Sequence, residues 1–174
     1  MLLLLVMFIL GLFAWTFVEY TIHGILSHIF TTFATPLHDG HHRDPHAVFT
    51  AGAWMPTAIV SAIVFGIFGL TPAGAVWLGL VAGFLSYELF HYRIHFARPL
   101  CAFEERMRTR HLAHHLRSPN QIFGVTNRIW DRVFGSEPDD ARLAEMRASV
   151  AKVAPLSGAT NFHRVFRPWS YLMR

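Results

Sequence analysis

The chain has one cysteine, Cys101, among 174 residues. An internal disulfide is excluded, and so is a metal site built from several thiolates. Charge is scarce too: 15% of residues are charged and 53% hydrophobic, unlike an ordinary soluble domain. Met1 to Val18 carries no charged residue, and neither does Pro45 to Tyr87. No Lys or Arg precedes Arg43, and none lies between Arg43 and Arg93. A Gly-rich nucleotide fingerprint after a strand is missing, and one cysteine cannot hold an iron–sulfur cluster. No serine or cysteine stands in a recognisable nucleophile setting, which argues against a hydrolase. There is no internal repeat and no low-complexity segment.

What is present begins with the apolar blocks. A spanning helix needs roughly 20 mostly apolar residues, and the first block supplies one. The second is about 65 Å long as helix, enough for two crossings of a ~30 Å core. Gly69, Thr71, Pro72 and Gly74 supply the turn between them. The first block has no basic residue before it and no small-residue cleavage site after it, so it is expected to remain as a span rather than act as a signal peptide. All 15 Lys and Arg lie at Arg43 or beyond, and the Gly69–Gly74 turn has none. The positive-inside rule then places the His-rich loop and the C-terminal region in the cytoplasm. The net charge of +4 suits anionic lipid headgroups better than nucleic acid. The expected fold is an all-α, multi-pass integral membrane protein: about three transmembrane helices under a cytoplasmic helical cap. The expected membrane is a bacterial inner membrane, or the endoplasmic reticulum in a eukaryote.

Residues 1 to about 33 read as one long helix ended by Thr35-Pro36, because the residue before proline avoids the α region. Leu37 to Phe49 should hold one or two helical turns. Val48–Leu70 and Pro72 to about His95 read as a helical hairpin, with Gly66, Gly69, Gly74, Gly79 and Gly83 allowing close helix approach. A helix from Cys101 to about Leu116 carries Arg106, Arg108 and Arg110, which read as a basic patch suited to an acidic redox partner or to lipid phosphates. Asp139 to Val153 reads as an amphipathic docking or interface helix with Leu143, Met146, Val150 and Val153 as its stripe. The last twenty residues are aromatic and basic and say little.

Ten of the twelve histidines fall in four clusters: His23 and His28; His38, His41 and His42; His91 and His95; His111, His114 and His115. His46 and His163 stand apart and read as structural. Imidazole suits iron, zinc and copper, and ten rings exceed what one ion takes. The count points to two ions close together. Three clusters place two or three rings on one helical face. His23 and His28 do not: five residues turn a regular helix by about 140°. Either they serve different ions or a π-type distortion lies between them. Glu88, Asp39 and Asp131 are candidates to orient the rings through their outer N–H groups. Tyr20, Tyr92, Trp130 and Phe123 are candidates for a lipid entrance or for interface anchors.

In cluster order the chain resembles the fatty acid hydroxylase/sterol desaturase superfamily of integral-membrane di-iron enzymes. Glu19-Tyr20-Thr21-Ile22-His23, His91-Tyr92-Arg93-Ile94-His95, and His111 to His115 followed by Phe123-Gly124-Val125-Thr126 and Trp130-Asp131-Arg132-Val133-Phe134-Gly135 resemble its fatty acid 2-hydroxylase branch. The likeness runs from about Val18 to Gly135. It implies two iron ions, with zinc able to occupy the same rings, held by all ten clustered histidines. It implies O2 as co-substrate and insertion of oxygen into a C–H bond of a membrane lipid, foremost fatty acyl hydroxylation. Residues 1–135 would form the catalytic region, and 136–174 a C-terminal helix and tail. There is no room for a fused cytochrome b5 domain, so an external donor of ferredoxin or cytochrome b5 type, with its reductase, is expected. A lipid desaturase, a carotenoid hydroxylase, a metal transporter and a scaffold with one structural zinc remain alternatives.

Overall fold

A computed structural model describes residues 1–153 apart from Thr50 and Ser118, and these form helices and connecting turns with no strand. His163, the aromatic tail and the side chains of Val150 and Val153 lie outside the described residues. The elements are α1 (Leu2–Tyr20), a π-helix π1 (Thr21–Ile29), α2 (Thr35–Arg43), α3 (Ala51–Phe68), α4 (Pro72–Phe96), α5 (Ala102–Arg117), α6 (Ile129–Val133) and α7 (Asp140–Val153). Three helices are long and apolar enough to cross a membrane: Leu2–Ile29, Ala51–Phe68 and Pro72–Phe96. Hydrocarbon offers the backbone no hydrogen-bond partner, so such segments form helices that satisfy it internally.

The first helix changes character at Thr21 and ends at Ile29, short of the expected Phe33. Phe30 is already extended. Thr35-Pro36 does not end that helix but opens α2. Proline fits a first turn because its missing N–H would have no intrahelical partner there. The α3–α4 turn falls where the glycines predict it. Gly69 has a φ of 56°, and its N–H donates to the Phe65 carbonyl (3.0 Å), capping α3.

The helix that packs most extensively on α4 is α1, and the glycines show how. A Cβ on Gly11 would overlap the Val76 carbonyl, one on Gly79 the Phe8 carbonyl, and one on Gly83 the Trp15 side chain. The hairpin partner α3 has no buried residue. Two indole N–H groups tie it to α4: Trp77 to Ser61 Oγ (3.0 Å) and Trp54 to Glu88 Oε2 (2.8 Å).

Beyond the spans, α7 lies on α5. Met146, with Leu143 beside it, packs among Leu112, Ala113 and Ile122. Short α6 rests on α1, where the Trp130 indole donates to Thr16 Oγ1 (2.9 Å) and packs on Phe17. The basic patch does not form. Arg108 and Arg110 are buried, and only Arg106 is exposed. Arg110 pairs with Asp131 (2.9 Å) and Glu137 (2.5 Å), a buried ion network whose disruption costs about 3–5 kcal/mol.

Candidate metal centre

The four histidine clusters come together where π1, α2, α4 and α5 meet. They sort into two groups of five: His23, His28, His38, His42 and His114; and His41, His91, His95, His111 and His115. Within each group the ligand nitrogens lie within 4.8 Å of one another. Only α2 and α5 feed both groups. Neighbours such as His41 and His42, or His114 and His115, lie about 100° apart on a helix and so point to different groups.

π1 resolves the problem of His23 and His28. A π-helix bonds i to i+5, and here the Phe30 N–H donates to the Ile25 carbonyl (3.0 Å) and the Ser27 hydroxyl to the Ile22 carbonyl (2.7 Å). That winding brings residues five apart onto one face, and both rings enter the same group. Gly24 leaves room for the Phe123 ring, which a Cβ there would strike.

In the first group, Nε2 of His114 lies 3.1 Å from those of His23 and His28 and 3.2 Å from that of His42, while His38 and His28 approach to 2.7 Å. In the second, Nε2 of His111 lies 2.9 Å from those of His91 and His95 and 3.0 Å from that of His115; His41 and His95 are 3.1 Å apart. The contact between His23 and His114 is not an ordinary hydrogen bond. Nδ1 of His23 faces the Phe123 carbonyl (2.6 Å) and Nδ1 of His114 the Gln121 carbonyl (2.8 Å). A carbonyl only accepts, so both Nδ1 atoms carry the proton, and a neutral ring then has its lone pair on Nε2. The two lone pairs face each other at 3.1 Å. Such an arrangement repels unless a cation lies between. Ligands at right angles around an ion bound at ~2.1 Å stand about 3 Å apart, which matches these spacings.

The rings outside the spans are held neutral. Burial, and then the neighbouring rings, push His41 down to about 3 and His42 to about 4. His38, His111, His114 and His115 also lie below their ordinary value for these reasons. Neutral imidazole is the form that binds metal. The donor set therefore fits metal ions by atom, geometry and charge state.

A cavity of about 290 Å³ opens onto both groups. His23 and His38 line it from the first, His41 and His91 from the second. Its walls include Trp15, Ile22, Phe33, Leu37, Val48, Pro56 and Phe84, and besides the histidines its polar residues are Glu19, Ser27, Thr57, Tyr87 and Glu88.

The sequence model of the fatty acid hydroxylase family matches residues 8–136. The chain belongs to the fatty acid hydroxylase family. It is 33% identical over 144 residues to the dihydroceramide fatty acyl 2-hydroxylase FAH1 of Arabidopsis thaliana, covering 75% of this chain and 60% of that protein. It is 30% identical over 145 residues to the fatty acid 2-hydroxylase of Mus musculus, covering 74% and 38%. A solved structure of full-length scs7p, in which only the hydroxylase domain is visible, superposes with a TM-score of 0.67 at 30% identity, covering 79% of this chain and 57% of that one. The chain thus spans about 60% or less of the length of these family members.

All ten clustered histidines are brought together, whereas His46 stays apart, bonded to Asp44 (3.1 Å) and stacked on Phe96. The proposed orienting carboxylates act elsewhere. Glu88 accepts from Trp54, Asp39 is exposed, and Asp131 binds backbone amides. Tyr20, Tyr92, Trp130 and Phe123 do not line the cavity; Phe123 instead packs on His23, His28 and His114. Sequence reasoning overlooked Glu19, Tyr87 and Trp54. A carboxylate at the end of an apolar span, as at Glu19, was the available signal.

Proposed function

We propose that the ten histidines hold two iron ions and that the protein hydroxylates a fatty acyl chain of a membrane lipid. The observation that carries this reading is the convergence of ten imidazoles into two adjacent groups of five, with the lone pairs of His23 and His114 facing each other and both groups in contact with one largely apolar cavity. The Arabidopsis and mouse relatives are a fatty acyl and a fatty acid 2-hydroxylase, the same reaction class. Iron with O2 and two external electrons supplies the oxidising power that an unactivated C–H bond requires. The balance is one C–H bond, one O2, two electrons and two protons, giving one alcohol and one water.

The chain's own residues do the rest. The imidazoles hold the ions with Nε2, and the Phe123 and Gln121 carbonyls fix the tautomers of His23 and His114. The walls of the cavity exclude water and align an acyl segment beside both groups. Its volume is at the low end of ~300–1,000 Å³ for small-molecule sites, so a stretch of chain enters while the rest stays in the bilayer. Electrons come from an external donor of ferredoxin or cytochrome b5 type with its reductase. The catalytic region comprises residues 1–135, and α7 beyond it packs on α5. The metal end faces the cytoplasm, at a bacterial inner membrane or, in a eukaryote, the endoplasmic reticulum.

The test is purified protein loaded with iron, given a lipid, a reductase system and isotopically labelled O2. The lipid should gain one labelled oxygen per turnover, and metal analysis should return two ions per chain. Removal of the metal by chelation should abolish the gain. Product without labelled oxygen, or sustained turnover without any electron donor, would overturn the assignment.

A further inference from the structure

The two imidazole groups are supported differently. Each has a central ring on α5: His114 in the first and His111 in the second. His114 and His23 donate from Nδ1 to the Gln121 and Phe123 carbonyls. His111 has a buried Nδ1 with no hydrogen-bond partner among the described residues.

The loop that supplies those carbonyls is strained and framed. Ile122, between them, has a φ of 64°, the left-handed region that a β-branched residue avoids. Two buried carboxylates hold the loop in that shape. Asp131 accepts from the N–H groups of Phe123 (2.8 Å) and Gly124 (2.9 Å). Glu19 accepts from those of Val125 (2.6 Å) and Thr126 (2.8 Å), and from the Thr126 hydroxyl. Four consecutive amides thus end on two acidic side chains, while the Ile122 N–H donates to the Ser136 carbonyl (3.1 Å). Neither carboxylate is itself in hydrogen-bond contact with a histidine ring among the described residues.

We infer that this framed loop makes the two metal positions unequal, with Glu19 and Asp131 as positioning residues for the His114 group alone. The inference rests on the reading of the histidines as metal ligands. A ring locked in tautomer and orientation loses less freedom on binding, and its outer hydrogen bond makes Nε2 a stronger donor. The His114 group should fill first and more tightly, and the His111 group second.

The experiment is a calorimetric titration of metal-free full-length protein in detergent with zinc. Two steps alone decide nothing, because the first ion repels the second in any case. Their identity decides. His28→Ala should remove the tighter step and His95→Ala the weaker one. Glu19→Gln keeps the shape but leaves one acceptor oxygen where two are used. It should weaken the tighter step by about 10- to 100-fold, the range for lost supporting groups, and leave the weaker step in place as a check on folding. Thr126→Val removes only the hydroxyl bond and should shift the same step by less; it decides the matter if Glu19→Gln does not fold. Equal weakening of both steps in these variants, or loss of the weaker step in His28→Ala, would overturn the inference. Failure of wild-type protein to bind two ions through these histidines would instead overturn the reading beneath it.

Discussion

His41 and His42 are adjacent in sequence yet belong to different groups, and both rings are neutral at pH 7. Burial moves them to about 3 and about 4, from an ordinary 6.5 that the unfolded chain retains. Between those limits the unfolded state binds more protons, so stability falls as pH falls. The contribution is fully present above about pH 6.5 and is lost on acidification towards the folded values. Each ring adds a slope of up to about 1.4 kcal/mol per pH unit. Metal-free protein should therefore show a melting temperature that drops steeply from pH 6.5 to 4, and His42→Gln should make the fall shallower. A flat profile would mean that the rings are already charged in the fold. That these ten histidines would gather in space was legible in the sequence, because histidines clustered near apolar spans are costly unless they pair or bind something. Their allocation to two groups, and the work of Glu19 and Asp131, were not. Those carboxylates bind backbone amides from a distant loop, a contact that no spacing encodes.

Whole elements carry a different kind of information. The four longer helices, α1 with π1, α3, α4 and α5, were expected and are found within about four residues of their predicted ends. The irregularity in the first helix was legible only as a choice: the five-residue spacing allowed either a distortion or service to separate ions, and π1 realises the distortion. The glycines were read as sites of close helix approach, but their partner could not be read. Gly79 meets α1 backbone, whereas Gly66 has open space around it. Gly79→Leu should force α1 and α4 apart and destabilise the fold by about 1–3 kcal/mol or more, the cost of overpacking. Gly66→Leu should be tolerated, since its side chain would point into lipid. Thermal unfolding of the two variants in the same detergent, with metal content followed in parallel, checks this. Equal melting temperatures would show that the α1–α4 contact does not set stability. Thr35-Pro36 teaches the converse lesson. A proline that stops one helix also suits the first turn of the next, and local preference alone does not decide between them.

At the scale of the molecule, part of the charge asymmetry expected to orient the chain is engaged within the fold. Arg108 and Arg110 are buried within the fold, and Arg93 is engaged with Glu104 (2.7 Å). Exposed Arg43, Arg98, Arg106, Arg132, Arg142 and Arg147 nonetheless all belong to segments beyond the histidine ends of α1 and α4, and the turn at Gly69–Thr71 has no charge. Each lysine or arginine near an anionic leaflet is worth about 1 kcal/mol, so these six still favour one orientation over its inverse. Cys101 is the sole cysteine and is exposed beside α5, which makes it a native reporter of the side on which the histidine groups lie. A membrane-impermeant thiol reagent should label it only when the cytoplasmic face is accessible. With Cys101→Ser in place, Leu70→Cys in the turn should be labelled only from the opposite face. If the Leu70→Cys variant is labelled from the cytoplasm, the three spans run the other way, and an electron donor in the cytoplasm could not reach the metal end.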